Sequence, residues 1–143
     1  MPGIKLPVSD KLHLSWTDIS DHCILIANKI ETENDTIDSI ITISRGGMIP
    51  GVILSRLLNV REVYSIGIRS YDDDEAYANR SHVPVVYQDI KDISKKMNKK
   101  PNKTVLFVDD ISDRGNTLRY IVNNYKFKSS RMCSLYIKPA TGF

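Results

Sequence analysis

The stretch Val105-Leu106-Phe107-Val108-Asp109-Asp110-Ile111-Ser112-Asp113-Arg114-Gly115-Asn116-Thr117-Leu118 decides how this chain is read. It opens on four apolar residues, two of them β-branched, which is the pattern of a buried strand. Two carboxylates follow where that strand is expected to end. A polar loop carrying Gly115 comes next, and then the helix-compatible run from Thr117 to Val122. A strand that turns tightly into a helix N-terminus is a ready anion site. The first amides of the helix have no intrahelical partner, and the helix dipole favours negative charge there. The loop therefore suits a phosphate, and the carboxylates beside it suit hydroxyl groups or a hydrated divalent cation. A sugar phosphate with free hydroxyls needs both.

Upstream of this stretch, Ser15 or Thr17 can cap a helix over about residues 17–31, whose apolar face is Ile19, Cys23, Ile26, Ala27 and Ile30. Residues 1–14 are expected to form an irregular or extended arm. Ile37–Ile43 reads as an apolar strand ending at Ser44-Arg45-Gly46-Gly47, followed by a helix over 48–58 that presents Ile49, Val52, Ile53, Leu57 and Leu58, with Pro50 tolerated in its first turn. Glu62–Arg69 is a β-branched strand. Residues 70–82 have no period and many charges, as expected of a functional loop. A strand over Val83–Tyr87, a short helix or turn over 89–98, a helix over 116–125 and a last strand over Arg131–Ile137 complete the chain.

Strands alternating with helices argue for an α/β fold, a parallel-rich sheet with helices on both faces. In such sheets ligands bind beyond the carboxyl ends of the strands, so the loops at 44–47 and 109–117 should face one crevice. In the first of these loops the glycines allow a close backbone approach to an anion, and Arg45 adds a cation for phosphate oxygens. An acidic pair after a strand also occurs in receiver domains. Those need most of their fold after the pair, and only 33 residues follow Asp110.

At 143 residues, 41% hydrophobic and 26% charged, the chain is expected to be one domain, residues 1–143, with a core of its own. A net charge of +3 gives no bulk argument for nucleic-acid binding, and the Lys95–Lys100 run reads as a solvated loop or helix end. Cys23 and Cys133 match no metal or redox spacing and are expected to be reduced core thiols. With no apolar leader at its N-terminus and no membrane-length apolar run, the chain reads as cytoplasmic, without membrane partners.

Val108 to Thr117 resembles the phosphoribosyl pyrophosphate (PRPP) signature of type I phosphoribosyltransferases, and Ser44-Arg45-Gly46-Gly47 resembles their pyrophosphate loop. More narrowly, Ser44 to Leu58, Ser70-Tyr71-Asp72 and Lys138-Pro139-Ala140 are similar to the 6-oxopurine branch of that family, the bacterial xanthine-guanine phosphoribosyltransferases. The resemblance implies Mg2+-dependent transfer of phosphoribose between PRPP and guanine, xanthine or hypoxanthine, a purine-salvage activity. It implies that Arg45 and Gly46 hold the pyrophosphate and that PRPP lies against Asp109, Asp110, Ile111, Ser112, Asp113, Arg114, Gly115, Asn116 and Thr117. Within that run, Asp109 and Asp110 would hold the ribose hydroxyls, with Asp110 the one to reach the metal. The amides of 113–117 and the Thr117 hydroxyl would cradle the 5-phosphate. Asp113 would be the catalytic acid or base facing purine N7, and Lys138 the donor that selects an exocyclic oxygen. The resemblance further implies a cis peptide at Ser44–Arg45, closure of the 70–82 loop over the site, and a homo-dimer or homo-tetramer.

Two departures stand beside it. Arg114 occupies a position where the family usually has Thr. The family also continues past the Lys into a hood whose aromatic stacks on the base, whereas this sequence ends five residues after Lys138. The hood is thus expected to be missing or truncated: either the base is held by something else, such as a neighbouring subunit, or the protein is a truncated gene product. The alternative function is a non-catalytic sensor of PRPP or a nucleotide on the same fold.

Overall fold

A computed structural model describes residues 14–69, 84–100, 102–112 and 115–137. The elements follow the order α1 (Trp16–Thr32), β1 (Ser39–Ser44), α2 (Met48–Leu57), β2 (Glu62–Arg69), β3 (Val85–Gln88), α3 (Lys91–Asn98), β4 (Val105–Ser112), α4 (Asn116–Asn124) and β5 (Ser130–Ile137). They build one five-stranded sheet in the order β3-β2-β1-β4-β5. The pairs β1–β2, β1–β4 and β4–β5 are parallel, and only the edge pair β2–β3 is antiparallel.

The two central strands are apolar on both faces because both faces are covered. On one face Ile41, Phe107 and Val105 pack with Met97 of α3 and with Leu118 and Ile121 of α4. On the other, Ile40, Leu106 and Val108 pack with Cys23, Ala27 and Ile30 of α1 and Leu54 of α2. Ser15 starts α1 with a reciprocal capping pair. Its hydroxyl accepts from the Asp18 amide at 3.1 Å, and its own amide donates to Asp18 Oδ2 at 2.9 Å. Cys23 is fully buried and Cys133 half-buried. Both are free thiols, and burial pushes the Cys133 thiol up to about 12. Among the described residues no helix is long and apolar enough to cross a membrane.

One sequence expectation needs correction. The strand carrying the acidic pair does not end before it. β4 continues to Ser112, because β5 extends beside it and pairs Asp109 with Ser134 and Ile111 with Tyr136. Of the apolar residues expected on α2, Ile53 and Leu58 pack against the core while Ile49, Val52 and Leu57 are exposed, and its buried residues are Pro50, Gly51, Leu54 and Ser55. Gly51 is the cause. A Cβ there would collide with the Thr42 side chain, so its absence lets α2 lie directly on β1 and turns Ile49, Val52 and Leu57 outward.

Candidate functional site

The carboxyl ends of β1, β2, β4 and β5 open into a cleft of about 1230 Å3. Ser44, Arg45 and Gly46 line it from the β1–α2 turn. Asp109, Asp110 and Ile111 line it from β4, and Gly115, Asn116 and Thr117 from the start of α4. The two loops therefore face one crevice, as their places at the strand ends predict. The peptide between Ser44 and Arg45 is cis, also as expected, and the Ser44 hydroxyl is hydrogen-bonded to that of Ser65 on β2.

The loops are in direct contact. A Cβ added to Gly46 would fall on the carboxylate of Asp110. One added to Gly47 would fall on the backbone oxygen of Val108, with Ile43 close behind. Only glycine lets the β1–α2 turn press this closely on β4, and the contact holds Asp110 against the turn that carries Arg45.

At the other loop Gly115 adopts φ 70°, the left-handed conformation that suits glycine, and starts α4 with no side-chain cap. The intrahelical ladder begins with the Arg119 amide donating to Gly115 O at 2.9 Å. The amides of Asn116, Thr117 and Leu118 precede that first bond, as the opening amides of any helix do. With Arg45 across the cleft, this end of the site is built for anionic oxygens.

The two members of the acidic pair are not equivalent. Asp109 lies deeper than the sequence implies, at 9% exposure, while Asp110 is half-buried. Burial pushes the Asp109 carboxyl up to about 7, and the Asp110 carboxylate beside it adds to the rise. Acting against this, the Asp110 amide donates to Asp109 Oδ1 at 2.8 Å; the Ile111 amide likewise donates to Asp110 Oδ1 at 2.7 Å. Among the described residues no group of three or more His, Cys, Asp or Glu side chains could hold a metal by itself. Two carboxylates beside an anion cradle instead suit a hard cation that draws most of its oxygen ligands from a bound phosphate ester.

Of the residues singled out from sequence, Arg45, Gly46, Asp109, Asp110, Ile111, Gly115, Asn116 and Thr117 line this cleft together. Ser112 ends β4, while Asp113, Arg114, Lys138 and the 70–82 loop lie outside the described residues. Among the cleft residues that sequence reasoning did not single out are Trp16, Arg69, Tyr87 and Tyr136. Arg69 is placed there by the strand register, which the sequence alone does not give. Ser44 pairs with Gly67, so the end of β2 had to overhang the same crevice.

A fold of this topology, with a glycine-bearing cationic turn facing an acidic pair and an uncapped helix start, is an α/β domain whose cleft is chemically suited to a phosphate ester. Comparison with known proteins makes the class definite. The family model of the phosphoribosyl transferase domain matches residues 15–142, and the chain belongs to that family. A xanthine-guanine phosphoribosyltransferase from Idiomarina loihiensis is 33% identical over 101 residues, covering 71% of this chain and 55% of that protein. The chain thus spans about half the length of this curated relative. A purine phosphoribosyltransferase from Pyrococcus horikoshii superposes with a TM-score of 0.70 at 28% identity, covering 94% of this chain and 82% of the other. A hypothetical protein from Neisseria gonorrhoeae with bound ppGpp shares the fold, with a TM-score of 0.72 at 22% identity over 87% of this chain and 69% of the other.

Proposed function

We propose that this chain transfers a phosphoribosyl group between PRPP and a 6-oxopurine base, with Mg2+ as cofactor. The observation that carries the proposal is the convergence of Arg45, Gly46, Asp109, Asp110 and the α4 N-terminus on one cleft. PRPP presents a 5-phosphate, a pair of ribose hydroxyls and a pyrophosphate, and each has a chemically matched surface here. The amides at the start of α4 and the Thr117 hydroxyl hold the 5-phosphate. Asp109 and Asp110 accept the ribose hydroxyls and fix the sugar's orientation. Arg45, the Gly46 backbone and Arg69 hold the pyrophosphate, whose negative charge grows as its bond to the anomeric carbon breaks.

A bound Mg2+ supplies further neutralisation of that leaving group, and the half-buried Asp110 carboxylate is the protein donor suited to it. Family resemblance supports Asp113 as the group that handles the purine N7 proton and Lys138 as the one that favours an exocyclic oxygen. It likewise supports a homo-oligomer.

The test is direct. Mixed with PRPP, Mg2+ and guanine, xanthine or hypoxanthine in turn, the protein should release pyrophosphate with at least one of them. PRPP binding without turnover on any base would overturn the transferase reading in favour of a PRPP or nucleotide sensor. A narrower prediction concerns the two arginines. Arg45→Ala and Arg69→Ala should each weaken the binding of inorganic pyrophosphate by roughly 10-fold, the scale of one charge-assisted contact. Titration calorimetry measures the loss. Both side chains are exposed, so the melting temperature should stay that of the parent.

A further inference from the structure

The cleft has a wall that phosphate and ribose do not use. Trp16, the first residue of α1, is 69% exposed and lines the cleft beside Leu14, Ile19, Leu135 and Tyr136. Its place follows from how α1 lies along β5. Near the start of β5, Arg131 Nε donates to Asp35 Oδ2 at 3.2 Å, just past the helix C-terminus. Near its end, the Tyr136 hydroxyl meets His22 Nδ1 at 2.6 Å, with the two rings edge to face, 4.9 Å between centroids. The helix therefore runs antiparallel to the strand.

From His22 the remaining six residues toward the helix start, at the α-helical rise of 1.5 Å each, carry Trp16 about 9 Å further in the direction of the strand's carboxyl end. That brings an indole over the mouth of the cleft. The Ser15–Asp18 capping pair pins the turn that holds it. A lone exposed aromatic on a surface needs no explanation. This one is held by a rigid helix start and opens onto the same cavity as the anion cradle.

We propose that Trp16 is the platform on which the purine ring of the substrate stacks, with Leu14 and Tyr136 bounding the apolar slot. The inference rests on the transferase reading and deepens it by assigning the base a place in the cleft. An indole offers a π-face large enough for both rings of a purine, so a purine nucleotide should gain more from it than a pyrimidine nucleotide.

The chain has one tryptophan, so its emission reports this residue alone. GMP should quench it saturably. Ribose 5-phosphate, which engages only the cradle and the carboxylates, should compete with GMP yet leave the emission unchanged. Trp16→Ala should weaken GMP binding roughly 5- to 100-fold, the range of one lost base–aromatic stack. It should leave ribose 5-phosphate affinity as it was, and Trp16→Phe should recover most of the loss. Circular-dichroism melting of both variants checks that the fold is intact. If GMP binds without changing the emission and binds Trp16→Ala as tightly as the parent, the stacking role falls while the nucleotide site stands. If neither GMP nor ribose 5-phosphate binds, the reading of the cleft itself fails, and the platform with it.

Discussion

Gly46→Ala should lower PRPP-dependent pyrophosphate release by roughly 100-fold or more while leaving the protein folded. The added methyl has no room, because the Asp110 carboxylate occupies the place it would take. Gly46 is exposed and its backbone needs no left-handed conformation, so alanine is not excluded by φ. The clash is relieved most easily by swinging Asp110 away, since a side-chain rotation costs about 1 kcal/mol and a backbone shift in β4 costs more. The relief itself is the damage. Asp110 is the carboxylate proposed to orient a ribose hydroxyl and reach the cation, and a misplacement of 1 Å in such a group can cost about 100-fold in rate.

Gly47→Ala is the instructive contrast. Its methyl would meet the Val108 carbonyl oxygen, a backbone atom in the middle of the sheet that cannot rotate out of the way. That variant should lose fold stability by roughly 2 kcal/mol or more, seen as a melting temperature lower by about 5 °C or more. Two neighbouring glycines thus separate into a functional and a structural one. Equal melting temperatures for both variants, or full activity in Gly46→Ala, would contradict the close approach of the two loops.

Much of this architecture was legible from period and punctuation. Glu62–Arg69 is legible to the residue, and α1 to within one residue at each end, because its apolar spacing and a cap at Ser15 or Thr17 leave little room. The two loops that face the cleft were legible because strand-to-helix turns announce themselves through small residues beside charges. Legibility failed where partners far away in sequence decide the outcome. Nothing within residues 105–112 says that β5 will run alongside and carry the ladder past Asp109 to Ser112. Likewise the orientation of α2 depends on Gly51 meeting Thr42, a contact between elements that no hydrophobic period records, so the apolar list of that helix does not say that Ile49 and Val52 lie outside. Trp16 carried no signal of its own, because the cap motif beside it explains the helix start and says nothing about what the side chain overlooks.

Asp109→Asn is expected to stabilise the protein at pH 8 and do almost nothing to stability near pH 4, an effect measured by thermal melting across that range. The sign follows from the direction of the shift. Burial, aided by Asp110, raises the folded-state pKa of Asp109 from the ordinary value of 3.8 to about 7. Between those values the folded protein holds a proton that the unfolded chain has released, so stability falls as pH rises through this window and stays low above it. Below the window both states are protonated and the shift is silent. Asparagine, close in shape to the protonated acid, removes the penalty only where it exists. A gain of roughly 5 °C at pH 8 over the parent is the expected scale. A gain of the same size at pH 4 and pH 8 would show that ionisation of Asp109 is not its source.

The same variant should bind ribose 5-phosphate more weakly at pH 8, because a neutral amide is a poorer acceptor for a sugar hydroxyl than a carboxylate. An empty site that is destabilised by its own charge, and a ligand whose hydroxyls offset that charge, are two sides of one arrangement. The energy withheld from the fold at Asp109 is then available for holding the sugar.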